Sequence, residues 1–507
     1  VRRTTAVAGR NSRIAVALLT VAVTGLAGCG RSGQPEEKPE AAPPAASQPA
    51  ADFAVGQQNK VTVDAMMAHL GKLQEIADAN GGNRALGTPG YQASVDYVAG
   101  VLRDKGFDVA TDEFEVRLPF ADEPALTADG NPVKAAALNY TIGTPPEGVT
   151  GRLVPAPAEP TPGCTAADYD GLQVRGAVVL VDRGSCPFGV KQQVAAEKGA
   201  AALIVANTDD EPIGATLGAT TDVEIPVVGI GKSDGAKLRA VPANMSLKLN
   251  AGVRTERTRN VVAQTKTGDT HNVVMAGAHL DSVPEGPGIN DNGSGVAAVL
   301  ETAVQLGSSP PVRNAVRFGF WGAEELGLIG STKYVESLDV EALKDIALYL
   351  NFDMLGSPNP GYFTYDGDQS APPTPAVPRV PEGSAGIERM LAAYLGGAGK
   401  PAQDTDFNGR SDYDAFTQAG VPAGGLFAGA EDNKTAEQAD LWGGQADKPF
   451  DPNYHKPGDT IENIDRTALE IQGRGVAYAL GLYAQDLSGR NGVPIREDRT
   501  RHRVSEQ

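Results

Sequence analysis

Histidine and cysteine are rare in this chain, at five and three of 507 residues. Once Cys29 is set aside, so few cysteines leave room for at most one internal disulfide. Basic side chains are outnumbered, with 44 Lys and Arg against 63 Asp and Glu, a net charge of −19. That balance excludes nucleic acid as a partner, because a phosphate-binding surface needs clustered Lys and Arg. Long apolar runs are missing too. The run Ile14–Gly28 falls short of the roughly 20 residues that a membrane-spanning helix needs. What is there, 41% hydrophobic and 21% charged residues, is the composition of a soluble globular protein. The length points to about two to four domains.

Arg2, Arg3, Arg10 and Arg13 precede the apolar run "IAVALLTVAVTGLAG". A basic start, a short apolar core and a small-residue exit make an export signal over residues 1–28. Its end, Leu26-Ala27-Gly28-Cys29, resembles the lipobox of bacterial lipoproteins. That resemblance implies cleavage before Cys29, a lipid on its thiol, and anchoring at the outer face of the bacterial cell membrane. A plain secretory signal is the alternative. Residues 29–56, rich in Pro, Ala and Glu, are expected to form a disordered tether. In an exported chain the remaining pair, Cys164 and Cys186, is expected to be bonded, with two free buried thiols as the alternative.

Val63, Met66, Met67, Leu70, Leu73 and Ile76 recur at helical spacing, a second amphipathic helix spans Tyr91–Lys105, and Phe107–Val116 alternates like a strand. Together they open an α/β domain, its first part covering 57–134. Residues 135–252 differ, with many short β-like runs, one clear helix and both remaining cysteines. The run "GAVVLVDRGSCPFGVKQQVAAEKGAAALIVANT" resembles the protease-associated domain, a β-rich module inserted in several exported peptidases. More of the same α/β sheet is the alternative.

From Arg259 onward the strands "NVVMAGAH", "NAVRFGFWG" and "IALYLNFDM" alternate with the helices "SGVAAVLETAVQL" and "STKYVESL". This order predicts a parallel sheet covered on both faces. The main part of the domain spans 253–488 and closes on a helix over about 466–485, leaving 489–507 as a flexible tail. The expected fold class is α/β: a mixed, mostly parallel sheet sandwiched by helices, with an inserted β-rich domain.

The candidate ligands share one kind of position. His279 ends the first strand, Glu324 and Glu325 follow the second, Asp353 ends the third, and Asp291 lies in the loop "NDNGSG". In open parallel sheets the carboxyl ends of the strands form one rim, where ligand sites gather. Two divalent ions about 3.5–4 Å apart can hold a water and a carbonyl oxygen together. They require a bridging carboxylate with His and acidic ligands on each side, and Asp291 suits the bridge. The second histidine must be His455, in "DPNYHKPGDT", since His69, His271 and His502 occupy unsuitable positions. Asp281 is placed to orient the His279 ring from behind. Adjacent side chains diverge, so Glu325 can bind metal while Glu324 serves as the general base.

"GAHLDSV", "GINDNGSG", "FWGAEELGLIGS" and "LNFDMLGS" resemble the exported di-zinc aminopeptidases of metallopeptidase family 28, over about 83–487. The resemblance implies the zinc exopeptidase fold and two zinc ions per chain, one held by His279, Asp291 and Asp353. The other would be held by Asp291, Glu325 and His455, with Glu324 as base and an irregular peptide after Asp291. In "DTDFNGRSDYDAFTQAGVPAGGLFAGAE" it assigns Asp404 to the substrate amine, beside Arg410. Tyr454 matches a tyrosine that stabilises the oxyanion. Asn408 stands where some relatives have a second acid, which puts amine recognition in question. An ion pair with Asp412 or Asp414 is the alternative role for Arg410.

The expected function is removal of single N-terminal residues from peptides by a hydroxide bridging two zincs. Peptide or protein N-termini would be the partners, in addition to the membrane, and a monomer is favoured. A carboxypeptidase or aminoacyl cyclase on the same fold, or a non-catalytic surface-binding protein, are the alternatives.

Overall fold

The computed structural model describes residues 46–158, 161–370, 379–489 and 492–504. The export signal, Cys29 and the first part of the expected tether lie outside them. The tether's last part does not behave as expected, because Gln48–Gln58 forms a helix (α1). Its Ala50, Ala54 and Gln57 are buried, and Ala54 lies so close to Gly481 that no side chain would fit there. Alanine-rich sequence is low in apolar content yet high in helix propensity, and here a neighbouring helix supplies the surface to bury it. Val63–Ala79 (α2) and Pro89–Asp104 (α3) follow, capped by the hydroxyls of Thr62 and Thr88, which accept from Ala65 N and Tyr91 N.

Asp108–Ala110 (β1) joins the main sheet, and Glu113–Ala121 (β2) makes a two-stranded ribbon with a later strand. The inserted sheet is built from Ala125–Ala128 (β3), Asn131–Val133 (β4), Ala135–Ala137 (β5), Val149–Pro155 (β6), Val178–Asp182 (β7), Ala202–Ala206 (β8), Val227–Ile230 (β9) and Asn244–Lys248 (β10). Phe188–Glu197 (α4) and Lys232–Ala240 (α5) accompany it. The strand order is β4-β3-β10-β6-β7-β8-β9-β5, with β6 to β9 parallel. The insert therefore begins near residue 125 rather than 135, because β3 pairs antiparallel with β10. Ala251–Arg259 (β11) completes the ribbon with β2 and returns the chain to the main body.

The main sheet has the order β1-β12-β14-β13-β15-β18-β16-β17. Its further strands are Val261–Gln264 (β12), Asp269–His279 (β13), Asn314–Trp321 (β14), Ile346–Phe352 (β15), Phe363–Tyr365 (β16), Gln403–Thr405 (β17) and Ala423–Phe427 (β18). β14, β13, β15 and β18 run parallel, so their carboxyl ends share one rim. Gly295–Leu306 (α6) and the long Arg466–Gln485 helix lie on one face, where Val274, Ala276 and Ala278 alternate inward. Val273 and Met275 point to the other face, which Ile329–Glu336 (α7), Val340–Asp345 (α8) and Tyr413–Gln418 cover. Ser384–Gly397 (α9) precedes β17; Tyr413–Gln418 is α10, Ala436–Trp442 α11 and Arg466–Gln485 α12.

The tail also departs from expectation. Arg499 and Arg501 are buried. Arg499 donates to Lys344 O (2.7 Å) and Arg501 to Ile346 O (3.1 Å), both at the junction of α8 and β15. Arginines supply the donors that this carbonyl-rich junction needs, so polarity here signals docking. Among the described residues no helix is long and apolar enough to cross a membrane.

Candidate metal centre

His279 ends β13, opposite Trp321 at the end of β14. Its Nδ1 lies 3.1 Å from the main-chain carbonyl of Asp281, which leaves Nε2 to face the cavity. The Asp281 carboxylate, expected to hold the ring, is 3.8 Å from Nδ1. It accepts instead from the amides of Glu324 (3.2 Å) and Glu325 (3.4 Å) and so shapes the turn after β14. Ala323, just before these glutamates, takes a left-handed φ of 58°, as do Met354 (51°) after Asp353 and His455 itself (55°). Non-glycine residues are costly there, and such backbone gathers at functional sites.

Asp291 sits in a fully buried irregular turn, 289–294, and the irregular peptide that the resemblance implied, to Asn292, is cis. Side chains from three directions hold this turn. Asp459 accepts from Asn290 N (2.7 Å) and Asp291 N (3.0 Å). Asn292 donates to Phe352 O (2.9 Å) and accepts from Met354 N (3.2 Å), tying Asp291 to Asp353. Arg84, fully buried, donates to the carbonyls of Leu280, Pro287 and Gly288, and so fastens the end of β13 to the start of the turn.

His279 Nε2 lies 3.1 Å from Asp291 Oδ1 and 3.4 Å from Asp353 Oδ1. His455 Nε2 lies 3.1 Å from Asp291 Oδ2 and 3.1 Å from Glu325 Oε2. Asp291 thus turns one oxygen to each histidine. Ser411 donates to Asp353 Oδ2 (2.7 Å), which leaves Oδ1 directed at the cluster. Glu324 stands back, its Oε2 4.0 Å from His279 Nε2.

These residues fit zinc. Two ligands at about 2.0–2.2 Å on a tetrahedral ion are separated by about 3.3 Å, close to the spacings here. Glu325 Oε1 and Asp353 Oδ1 are buried and meet no hydrogen-bond donor, as do both oxygens of Asp412. Burial of so many carboxylates also shifts their protonation. Burial, with Glu325, Asp412 and Asp353 nearby, holds Glu324 well above the usual carboxylate range, against the pull of His279. Burial and then Asp291 push Glu325 up to about 7, and burial pushes Asp459 up to about 8. A site that concentrates this much acid calls for cations.

Above the cluster lies a small cavity of about 120 Å³, whose wall includes Tyr365, Thr405, Asp406, Arg410, Glu431 and Tyr454. Arg410 does not pair with Asp412 or Asp414; it reaches Glu431 Oε1 at 2.9 Å and Tyr454 Oη at 3.3 Å. Asp404 is not part of this wall. Its neighbour Thr405 lines the cavity, and successive strand residues face opposite sides of a sheet. Asp404 therefore points away, and Asp406, just beyond the strand, presents the carboxylate instead. Asn408 accepts from Tyr413 Oη (3.0 Å) and Arg410 N (3.1 Å), so it shapes the loop. Reasoning from sequence missed Arg84, Asp406, Asp412 and Asp459. Only Asp459 carried a signal, four residues after His455 in the same turn-rich segment.

Cys164 and Cys186 are bonded, with an S–S length of 2.03 Å.

The sequence profile of Peptidase family M28 matches residues 260–480, and that of the PA domain matches 149–238 inside the inserted sheet. A probable lipoprotein aminopeptidase, LpqL of Mycobacterium tuberculosis, is 67% identical over 458 residues, covering 90% of this chain and 92% of that one. Leucine aminopeptidase 2 of Arthroderma otae is 43% identical over 437 residues, 85% of this chain and 86% of that one. Among solved structures, the aminopeptidase of Aneurinibacillus sp. strain AM-1 superposes with a TM-score of 0.70 at 26% identity, covering 87% of this chain and 98% of its own. A zinc aminopeptidase of Bacillus subtilis superposes at 0.63 and 27% identity, covering 82% and 94%. With its histidines and carboxylates inside the M28 match and an aminopeptidase similar along nearly its whole length, the chain belongs to peptidase family M28, as an aminopeptidase with an inserted PA domain.

Proposed function

We propose that the enzyme works with two zinc ions, one between His279, Asp291 and Asp353 and one between Asp291, Glu325 and His455. The observation that carries this reading is Asp291, whose two oxygens each lie 3.1 Å from a different histidine Nε2. Bound zinc would supply Lewis acidity, lowering the pKa of a water and polarising the scissile carbonyl.

The chain's own residues do the rest. Glu324, set back from the ligands, takes the proton of the attacking water and returns it to the leaving amine. Tyr454 Oη, held by Arg410, donates to the oxyanion that forms on the first carbonyl. Asp406 presents the carboxylate for the substrate's free α-ammonium, in the place earlier expected for Asp404. Glu431 is occupied by Arg410 and sets its position. The small cavity matches an enzyme that accepts one residue at a time.

Attachment through a lipid on Cys29, at the outer face of the cell membrane, agrees with the lipoprotein named among the relatives. The physiological substrate would then be peptides outside the cell.

The test compares an aminoacyl amide with its N-acetylated twin, before and after chelation and zinc add-back, with zinc counted per chain. Cleavage of the free-amine substrate alone, lost on chelation and regained at two zincs per chain, is the expected outcome. Equal cleavage of the acetylated twin would remove the amine-binding role, and full activity at one zinc would remove the dinuclear centre.

A further inference from the structure

The disulfide of the insert lies against a buried charge. Lys191, in the first turn of α4, is fully buried, and lysine is rarely buried unless an acid pairs with it. Its Nζ donates to the carbonyl of Pro162 and stands 3.5 Å from Cys164 Sγ. The acids whose charges reach it, Asp168 and Asp182, are engaged elsewhere. Asp168 accepts from Thr161 Oγ1 (2.8 Å) and from Thr165 N (2.8 Å). Asp182 meets Arg239 at 2.9 Å. Lys191 therefore has no ion-pair partner among the described residues. Burial lowers its pKa, while Asp168 and Asp182 pull the other way.

A buried ammonium without an anion is costly, and opening the disulfide would create one beside it, a thiolate on Cys164. Cys186 has a weaker claim to the negative charge. It lies two residues before α4, and a helix start carries about half a charge, worth roughly 0.3–1 kcal/mol at an exposed end. Lys191 presents a whole charge in a buried setting, where electrostatic interactions are strongest. Tyr169, whose Oη approaches Gly163 next to Cys164, is raised by burial and then by Asp168, so it stays neutral. Both cysteines are half-buried, and Thr165 and Pro187 beside them are exposed, which gives a small molecule access.

We propose that Cys186 is a site of reversible modification by small thiols, with Cys164 as the leaving group and Lys191 stabilising it. The small thiol gives its proton to water, and its thiolate attacks Cys186 Sγ. A new S–S bond forms as the old one breaks, and the electron pair leaves with Cys164 Sγ beside the Lys191 ammonium. Attack falls on Cys186 because the thiol of lower pKa departs faster. A second small thiolate attacking the outer sulfur of the adduct frees Cys186 and completes a two-electron reduction, with the two small thiols joined as their own disulfide. Attack of the Cys164 thiolate back on Cys186 Sγ expels the small thiol and restores the native bond. Lys191 thus makes the staple of the insert one that opens in a fixed direction.

The test incubates the zinc-loaded enzyme with glutathione at neutral pH, quenches it with acid at short times and maps its peptides by mass spectrometry. Glutathione on Cys186 with Cys164 free should exceed the reverse adduct about tenfold. After full reduction, iodoacetamide should alkylate Cys164 with a midpoint below about pH 7.5, against about 8.5 for an ordinary thiol. Lys191→Met keeps the buried stem but not the charge. It should erase the preference for Cys186 and return the midpoint to about 8.5 or above. Adduct mainly on Cys164, equal adducts on both cysteines, an ordinary midpoint for Cys164, or a preference unchanged in Lys191→Met would each overturn the proposal. The first three are read on the parent enzyme, so they decide even where the variant fails to fold. None of these readouts involves peptide hydrolysis, so the outcome is independent of the catalytic reading.

Discussion

The inserted sheet and the catalytic sheet are each eight-stranded with parallel strands at the centre, yet their rims are finished in opposite ways. In the insert, β7 ends at Asp182, whose carboxylate meets Arg239 at 2.9 Å. After β8, Asn207 donates to Asp209 and to the carbonyl of Glu211. The Asp182 carboxylate and the Asn207 amide at that rim are engaged by protein groups. In the catalytic sheet the corresponding positions hold His279, Glu325 and Asp353, and among the described residues every orphaned buried carboxylate oxygen lies beside this rim. A rim of parallel strands can thus be a closed edge or a reactive one. The difference lies in which polar atoms are left without a partner and in what holds them there. Arg84, Asp459 and Asn292 form that support, all buried behind the His–carboxylate cluster.

The largest effect that could break this comparison comes from the rim itself. Glu324→Gln should lower kcat by about 10²–10⁴-fold, with zinc content unchanged if Glu324 is the base, as proposed, although its oxygen comes within 4.8 Å of the donor atoms of His279 and Asp353. Steady-state kinetics with metal analysis checks it; loss of zinc in this variant would make Glu324 a ligand. His455→Ala should leave one zinc per chain and lose most activity. Two zincs retained at full affinity would remove His455 from the centre.

The next effect concerns the support. Arg84→Met strands the carbonyls of Leu280, Pro287 and Gly288 in the interior. A destabilisation of about 3 kcal/mol or more is expected, together with weaker zinc retention and a fall in kcat larger than any change in KM. Urea unfolding and zinc competition measure the two parts. Unaltered zinc affinity in a destabilised variant would make Arg84 a folding residue only. A conserved-charge variant, Arg84→Lys, should recover stability in part but satisfy fewer of the three carbonyls.

How much of this was legible beforehand follows from what each signal depends on. His279, Asp353 and the Glu324–Glu325 pair announce themselves because long apolar strands end at them, and strand ends in a parallel sheet share a rim whatever the loops do. His455 could be found because so few histidines compete. Asp404 misled, since β17 spans three residues and its facing is set by register with β16, which no local pattern records. Arg84 was invisible because an isolated arginine among turn residues reads as surface. Helix α1 and the C-terminal tail misled for a related reason. Composition reports what a segment can bury alone, whereas both are held by partners more than a hundred residues away. The insert's two extra strands, β3 and β4, are too short to stand out from loops.

The smallest effect on catalysis should come from the insert, and it sharpens the contrast most directly. Cys164 and Cys186 close a loop across a sequence separation of 22 residues, worth about 3 kcal/mol in the chain-entropy account. Cys164→Ser with Cys186→Ser should therefore lower the insert's unfolding temperature. It should do so without altering kcat or KM on a single-residue amide, because none of the insert's described residues lines the catalytic cavity. Limited proteolysis should cut the variant first within 161–187 while the catalytic body stays intact. Longer peptides make the informative comparison. If the insert only decorates the fold, the parent and the variant will process a decapeptide equally. If it guides extended substrates toward the rim, KM for the decapeptide will rise in the variant while the amide is unaffected, and the closed sheet will have acquired a role in serving the open one.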